Sequence, residues 1–265
     1  MQGFRQHPFR VSGRFLWFAG EVLFALLIFL FGCAFWPKNS QRRARAVWLQ
    51  NLNRRVLRIF QTKILTTGAI PNSGLLISNH LSYLDILVIS ALTPAIFVAK
   101  REVKSWPIMG LLAQLGGSVF IDRQRRTHVG QVNDEIENAL ADGALVVIFP
   151  EGTSSDGKTV LPLKSSLLEP ATQLKHPLTA GCLQYALADG DAGSEICYWG
   201  EAAFLPHMIN LLSKRSVRVF VQFVPVQNPG NDRKELAQQL HAAVSCLQQL
   251  KISSADDSFI RINPA

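Results

Sequence analysis

A chain of 265 residues, 48% hydrophobic and 17% charged, is long enough for one sizeable α/β domain with a short appendage and too apolar to stay disordered. Its net charge of +8 is unevenly placed: residues 1–60 carry ten Lys or Arg against Glu21 alone, and the rest carries seventeen bases against eighteen acids. That asymmetry excludes a basic nucleic-acid-binding domain and fits an arm that meets anionic lipid.

Within that arm, Phe15 to Trp36 is an apolar run broken only by Glu21. It reaches the roughly 20 residues that cross a bilayer core, so it predicts a helix that spans or embeds deeply in a membrane, with Trp17 and Trp36 near the interfaces. Lys38, Arg42, Arg43, Arg45, Arg54, Arg55 and Arg58 follow the run and outnumber the bases before it, which puts its C-terminal side in the cytoplasm. Ser40 is placed to cap a second helix with Trp48, Leu52, Val56 and Phe60 on one face. This basic amphipathic helix either lies in the membrane interface or packs on the domain that follows. The division that results is an anchor at 1–62, a domain at 63–252 and a polar, loose tail at 253–265.

Strand-like apolar runs follow at Leu75–Ser78, Ala95–Ala99, Ser118–Ile121, Ala144–Phe149 and Val217–Val224. Helical stretches at Ser82–Leu92, Pro107–Leu115 and His128–Asp142 alternate with them, and Leu236, Leu240, Val244 and Leu247 mark a last helix over Asp232–Leu250. Such alternation predicts an α/β fold, a central mixed sheet flanked by helices. Cys33, Cys182, Cys197 and Cys246 form no Cys-x-x-Cys pair and have no His at metal spacing, so they read as buried thiols in a reducing compartment, with no metal site.

Three polar blocks each follow an apolar run. In Ser78-Asn79-His80-Leu81-Ser82-Tyr83-Leu84-Asp85, the one side chain that exchanges protons near pH 7 stands close to a carboxylate that can fix its tautomer. A regular helix turns about 100° per residue, so five steps leave two side chains roughly 140° apart. His80 must therefore precede the helix, in a turn at Asn79-His80 that folds the ring back to Asp85. The other blocks are Gly117-Ser118-Val119-Phe120-Ile121-Asp122-Arg123 and Phe149-Pro150-Glu151-Gly152-Thr153.

From about Gly74 to about Tyr185 these blocks resemble, in order and spacing, the glycerolipid acyltransferase family that includes 1-acylglycerol-3-phosphate acyltransferase. Its pattern runs Asn-His-x4-Asp, Gly-x-Ile-Phe-Ile-Asp-Arg, Phe-Pro-Glu-Gly-Thr-Arg-Ser and a Pro-containing strand. One departure stands out: Ser154 occupies the place where the family usually has Arg. The resemblance implies acyl transfer from a thioester, acyl-CoA or acyl carrier protein, to a lysolipid hydroxyl, a step of phospholipid biosynthesis that needs no metal or bound cofactor. His80 would be the base and Asp85 its orienting partner. Arg123 would hold the acceptor's phosphate through its planar fork, although a surface ion pair is its plainer alternative. Gly152 would let backbone N–H groups approach an anion. Glu151 either holds substrate or positions the loop, Thr153 completes the block, and Lys100 is a second-tier anion contact.

Lysophosphatidic acid leads as acceptor. The later stretch Tyr198-Trp199-Gly200-Glu201 and Phe204-Leu205-Pro206-His207 resembles a bacterial subset that includes lyso-ornithine lipid acyltransferases, whose acceptor has no phosphate. With the charge asymmetry, this puts the enzyme on the cytoplasmic face of a bacterial inner membrane, and His207 reads as a structural loop residue in preference to a second base. The rival class is a non-catalytic lipid-binding tether that keeps the fold.

Overall fold

The computed structural model describes residues 7–32, 35–36, 41–122, 126–172, 176–188, 190–230 and 232–250. Among the described residues, seven strands form one mixed sheet: β1 Thr62–Thr67, β2 Gly74–Ser78, β3 Ala95–Lys100, β4 Val119–Ile121, β5 Leu145–Ile148, β6 Leu178–Leu187 and β7 Val217–Pro225. Their order across the sheet is β1-β7-β6-β2-β5-β3-β4. Strands β6, β2, β5, β3 and β4 run parallel, whereas β7 is antiparallel to β6 and carries β1 parallel beside it. The central strands β2 and β5 are buried at every residue, as a sheet covered on both faces requires.

Side-chain alternation divides the core into two layers. Leu76, Leu145 and Val147 point to a face covered by helix α2 (Gln41–Ile59) and helix α3 (Leu84–Leu92), while Leu75, Ile77 and Val146 point to the opposite one. That second face is covered by helix α5 (Arg126–Ala141) and the C-terminal helix α7 (Arg233–Gln249). Helix α4 (Met109–Leu115) lies near the β4 edge, and helix α6 (Phe204–Ser213) lies between β6 and β7 in sequence. Because the parallel strands all point one way, the segments after β2, β3, β4 and β5 emerge at one edge, where open α/β sheets place their ligands. His80, Lys100, Asp122 and Glu151 sit in or beside those segments.

The N-terminal run forms helix α1 (Pro8–Gly32), which pairs antiparallel with α2. Trp48 Nε1 donates to the Ala25 carbonyl at 2.8 Å, and Arg55 Nε meets Glu21 Oε2 at 2.7 Å. Near its N-terminus, Arg10 donates to the Ser213 carbonyl at 2.7 Å and Arg14 to those of Leu212 and Lys214. These cations meet the end of α6 where unpaired carbonyls concentrate negative charge. Val11, Phe18, Val22 and Ala25 are buried on the domain, while Phe15, Leu16, Leu23, Phe24, Leu30 and Phe31 are exposed.

Of the two placements expected for the basic helix, α2 takes the packed one: Trp48, Leu52 and Val56 are buried, and Arg54 donates to the Ala91 carbonyl at 2.8 Å. The capping Ser40, Cys33 and the 253–265 tail lie outside the described residues. Cys182 and Cys197 are buried, but Cys246 is exposed because it lies on the outer side of α7, away from Leu240, Val244 and Leu247.

Candidate active site

Strand β2 ends at Ser78, and the next residue fixes the loop. The buried Asn79 side chain donates to the Leu183 carbonyl at 2.9 Å and accepts from the Leu183 N–H at 2.8 Å, clamping the loop to β6. His80 therefore precedes the helix, which starts at Leu84. Its Nδ1 lies 2.7 Å from Asp85 Oδ2. The ring stacks on Phe149, with centroids 4.3 Å apart, and keeps 22% of its side chain exposed.

Asp85 is completely buried, and a buried carboxylate is costly unless hydrogen bonds replace its water. Here they do. Besides His80, Oδ2 accepts the Leu81 N–H at 2.6 Å and the Ser82 N–H at 2.9 Å, and Oδ1 accepts the Tyr185 hydroxyl at 2.6 Å. Burial and the neighbouring Asp85 charge push the Tyr185 pKa well above its ordinary value, so the phenol stays a donor. The two N–H groups and the phenol fix the carboxylate, and the carboxylate fixes the imidazole.

Glu151 lies behind the same loop. It is buried, its Oε1 accepts the His80 N–H at 3.1 Å, and its Oε2 is buried without a hydrogen-bond partner. The Ser155 N–H also donates to the His80 carbonyl at 3.0 Å, so the third block holds the first through its backbone. These contacts place Glu151 against the backbone of the His80 loop.

Burial, opposed by the His80 and Leu161 N–H groups and reinforced by Asp85, raises the Glu151 pKa from 4.5 to about 7. The sign of the pH effect follows. Between pH 4.5 and about 7 the unfolded chain releases this proton before the folded chain does, so stability falls as pH rises through that window. At about 1.4 kcal/mol per pKa unit, the loss approaches roughly 3 kcal/mol above it. Glu151→Gln keeps an acceptor for the His80 N–H and removes the titration. Denaturant unfolding at pH 5 and pH 8 should show the wild type losing about 2–3 kcal/mol more than the variant.

The other residues singled out in the sequence are more scattered. Gly152 has φ +74°, a left-handed conformation that favours glycine, but its own N–H donates to the Phe149 carbonyl at 3.1 Å and is not turned to an anion. Thr153 is exposed beside it, and Lys100 is exposed at the end of β3. Asp122 pairs with Arg101 at 3.0 Å. Arg123 lies outside the described residues. The Ser154 hydroxyl donates to the Tyr198 carbonyl, tying the third block to the segment after β6. His207 belongs to helix α6 and not to a loop, since Pro206 falls in the first turn, where a missing N–H costs nothing. It is buried, its Nδ1 lies 3.0 Å from the Tyr83 hydroxyl, and burial lowers its pKa, which suits a structural role. Among the described residues no cluster of three or more His, Cys, Asp or Glu could hold a metal ion.

Sequence reasoning gave Tyr185 and Phe149 no part in the site, and it named Asn79 only as half of the turn before the helix. Asn79 carried a local signal, standing between the strand and the histidine; Tyr185 is 100 residues from its partner and carried none.

In comparisons with known proteins, residues 61–184 match the Acyltransferase family. The chain is 41% identical over 162 residues to a lyso-ornithine lipid O-acyltransferase of Rhizobium meliloti, a match covering 56% of this chain and 55% of that relative, so it spans little more than half that relative's length. It is 30% identical over 203 residues to a 1-acyl-sn-glycerol-3-phosphate acyltransferase of Neisseria gonorrhoeae, covering 72% of this chain and 73% of that protein. The crystal structure of the 1-acyl-sn-glycerophosphate acyltransferase PlsC from Thermotoga maritima has the same fold, with a TM-score of 0.66 at 19% identity over 92% of this chain and 99% of that one.

Proposed function

This chain belongs to the acyltransferase family, and from that premise we propose that it is a membrane-bound enzyme moving a fatty acyl group from acyl-CoA or acyl carrier protein to the free hydroxyl of a lysolipid. The observation that carries this reading is the His80–Asp85 contact of 2.7 Å with the ring still open to solvent. With Nδ1–H donated to Asp85, the Nε2 lone pair is left to face the substrate. The acceptor oxygen bonds to the thioester carbonyl carbon as its proton passes to Nε2, and the carbonyl electrons move onto oxygen. Collapse of that tetrahedral intermediate breaks the C–S bond, and the departing thiolate takes the proton from Nε2. The Asp85 carboxylate stabilises the transient imidazolium. The thioester arrives activated, so the reading assigns no bound cofactor.

The first acceptor is 1-acylglycerol-3-phosphate, giving phosphatidic acid, with Arg123 as the phosphate ligand and Lys100 as a further cation. A second reading, lyso-ornithine lipid, is favoured by Ser154: its hydroxyl is turned to the Tyr198 carbonyl where the family pattern has a cation. The purified protein, offered both lysolipids and one radiolabelled acyl donor, should label phosphatidic acid. Exclusive labelling of ornithine lipid would replace the first acceptor with the second, and labelling of neither would remove the proposed activity.

Anchoring follows from α1. A 25-residue helix is about 37 Å long, and this one touches protein from Arg10 to Ala25 while its other face is exposed and apolar. A helix held along the domain in this way fits insertion in the plane of one leaflet better than a crossing of both. We place the catalytic domain on the cytoplasmic face because a cytosolic acyl donor must reach it.

A further inference from the structure

A second apolar projection lies outside the catalytic groups. Before α4 the chain reads Trp106-Pro107-Ile108-Met109-Gly110-Leu111, and Trp106, Ile108 and Leu111 are 37%, 49% and 46% exposed. Three large apolar side chains within six residues make a patch, not the scattered exposure that any surface shows. The backbone holds them out. Ile108 sits at φ 60°, ψ −58°, a region that β-branched residues avoid and that persists only where the surroundings impose it. Gly110 is buried so close to the Val103 and Lys104 carbonyls that a Cβ would come within 2.5 Å of either, which fixes the turn into α4.

The projection is braced against the site. The Trp106 ring packs 6.0 Å from Phe204 and 6.5 Å from Tyr198, and both of those rings pack on Tyr83, three residues after His80. Leu205, next to Phe204, is 57% exposed. The helix that begins there, α6, ends on Arg10 and Arg14 of α1, so one rigid element joins the projection to the anchor. In the turn just before Trp106, Lys100, Arg101 and Lys104 outnumber Glu102 and the Asp122 that pairs with Arg101.

We propose that Trp106–Leu111, with Leu205, is a second membrane-inserting element that enters the same leaflet as α1. An apolar tip with a tryptophan above a basic base matches a bilayer, with acyl chains inside and anionic headgroups at its surface. A soluble acidic partner such as a carrier protein would be met by the cations and would leave the apolar tip in water. The proposal rests on the reading of α1 as an in-plane anchor. Two points of insertion on either side of α6 set the tilt of the domain, so the loop bearing His80 faces lipid and a lysolipid reaches the ring without leaving the leaflet.

The test places a fluorophore sensitive to polarity at Ile108→Cys or at Phe24→Cys on α1, in full-length protein carrying Cys33→Ser and Cys246→Ser. Vesicles of phosphatidylethanolamine and phosphatidylglycerol with brominated chains should blue-shift and quench both reporters, in His80→Ala protein as well, so the result does not depend on catalysis. Quenching at position 24 alone, with position 108 still in water, overturns the proposal and leaves the anchor reading intact. Quenching at neither overturns both. A blue shift at position 108 on adding acyl carrier protein, with no response to vesicles, makes the projection a protein-docking surface instead. As a second measurement, Ile108→Glu should weaken co-sedimentation with these vesicles tenfold or more, and unchanged sedimentation also overturns the proposal.

Discussion

Replacing His80 with alanine should lower kcat/KM for acyl transfer by about 10³- to 10⁴-fold while the fold survives. A positioned general base contributes about 10²- to 10⁴-fold, and here the same ring also returns the proton to the leaving thiolate, which puts the loss in the upper part of that range. In free energy this is roughly 4–5.5 kcal/mol of transition-state stabilisation. The structural cost should be small by comparison. The ring is partly exposed and stacks one face on Phe149. Asp85 does not become an uncompensated charge, because Leu81, Ser82 and Tyr185 still donate to it. Steady-state kinetics beside a thermal melt separate the two effects. Activity within tenfold of wild type, with an unchanged melting temperature, would exclude the ring as base.

The dyad was legible because its constraint is local. An imidazole and a carboxylate five positions apart cannot share a helical face, so a turn ahead of α3 follows from spacing alone, and Asn79 supplies it. The five apolar runs read as strands correspond to β2, β3, β4, β5 and β7, since continuous or alternating β-branched residues leave little choice. Strand β6 escaped because Thr179, Gly181 and Gln184 interrupt its apolar pattern, and Gly181 is small for a reason that lies elsewhere in the chain: Leu76 comes within 3.0 Å of where its Cβ would be. Strand β1 is an edge strand with only Ile64 and Thr66 facing inward, too few to stand out. Helix α6 escaped as well: His207 reads as a loop residue because a proline precedes it, yet Pro206 sits in the first helical turn, where it is tolerated. What a linear reading lacks most is the partner at long range. The chain places Tyr185 on Asp85 by pairing β6 with β2, and Ser154 on Tyr198 by the return of the chain after β6.

Asp85 offers the sharper experiment, because two substitutions at one atom position should fail in different ways. In Asp85→Asn the amide oxygen can take the place of Oδ2 and still accept from Leu81, Ser82 and His80, while its NH₂ meets the Tyr185 oxygen as a donor. The loop keeps its hydrogen bonds, but the negative charge that stabilises the imidazolium is gone. The expected result is a folded protein with kcat reduced about 10²- to 10⁴-fold and KM for the lysolipid changed by no more than about threefold. Asp85→Ala instead leaves two backbone N–H groups and a phenol buried without acceptors, at roughly 1–3 kcal/mol each. That variant should lose activity by losing the loop, visible as a fall in unfolding free energy of about 3 kcal/mol or more in denaturant titration. If the carboxylate only held the loop together, Asp85→Asn would keep near-normal turnover; if its charge serves the proton transfer, Asp85→Asn is folded and nearly inactive. A folded Asp85→Asn protein turning over at more than a tenth of the wild-type rate would therefore remove Asp85 from the chemistry and leave it as scaffolding for His80.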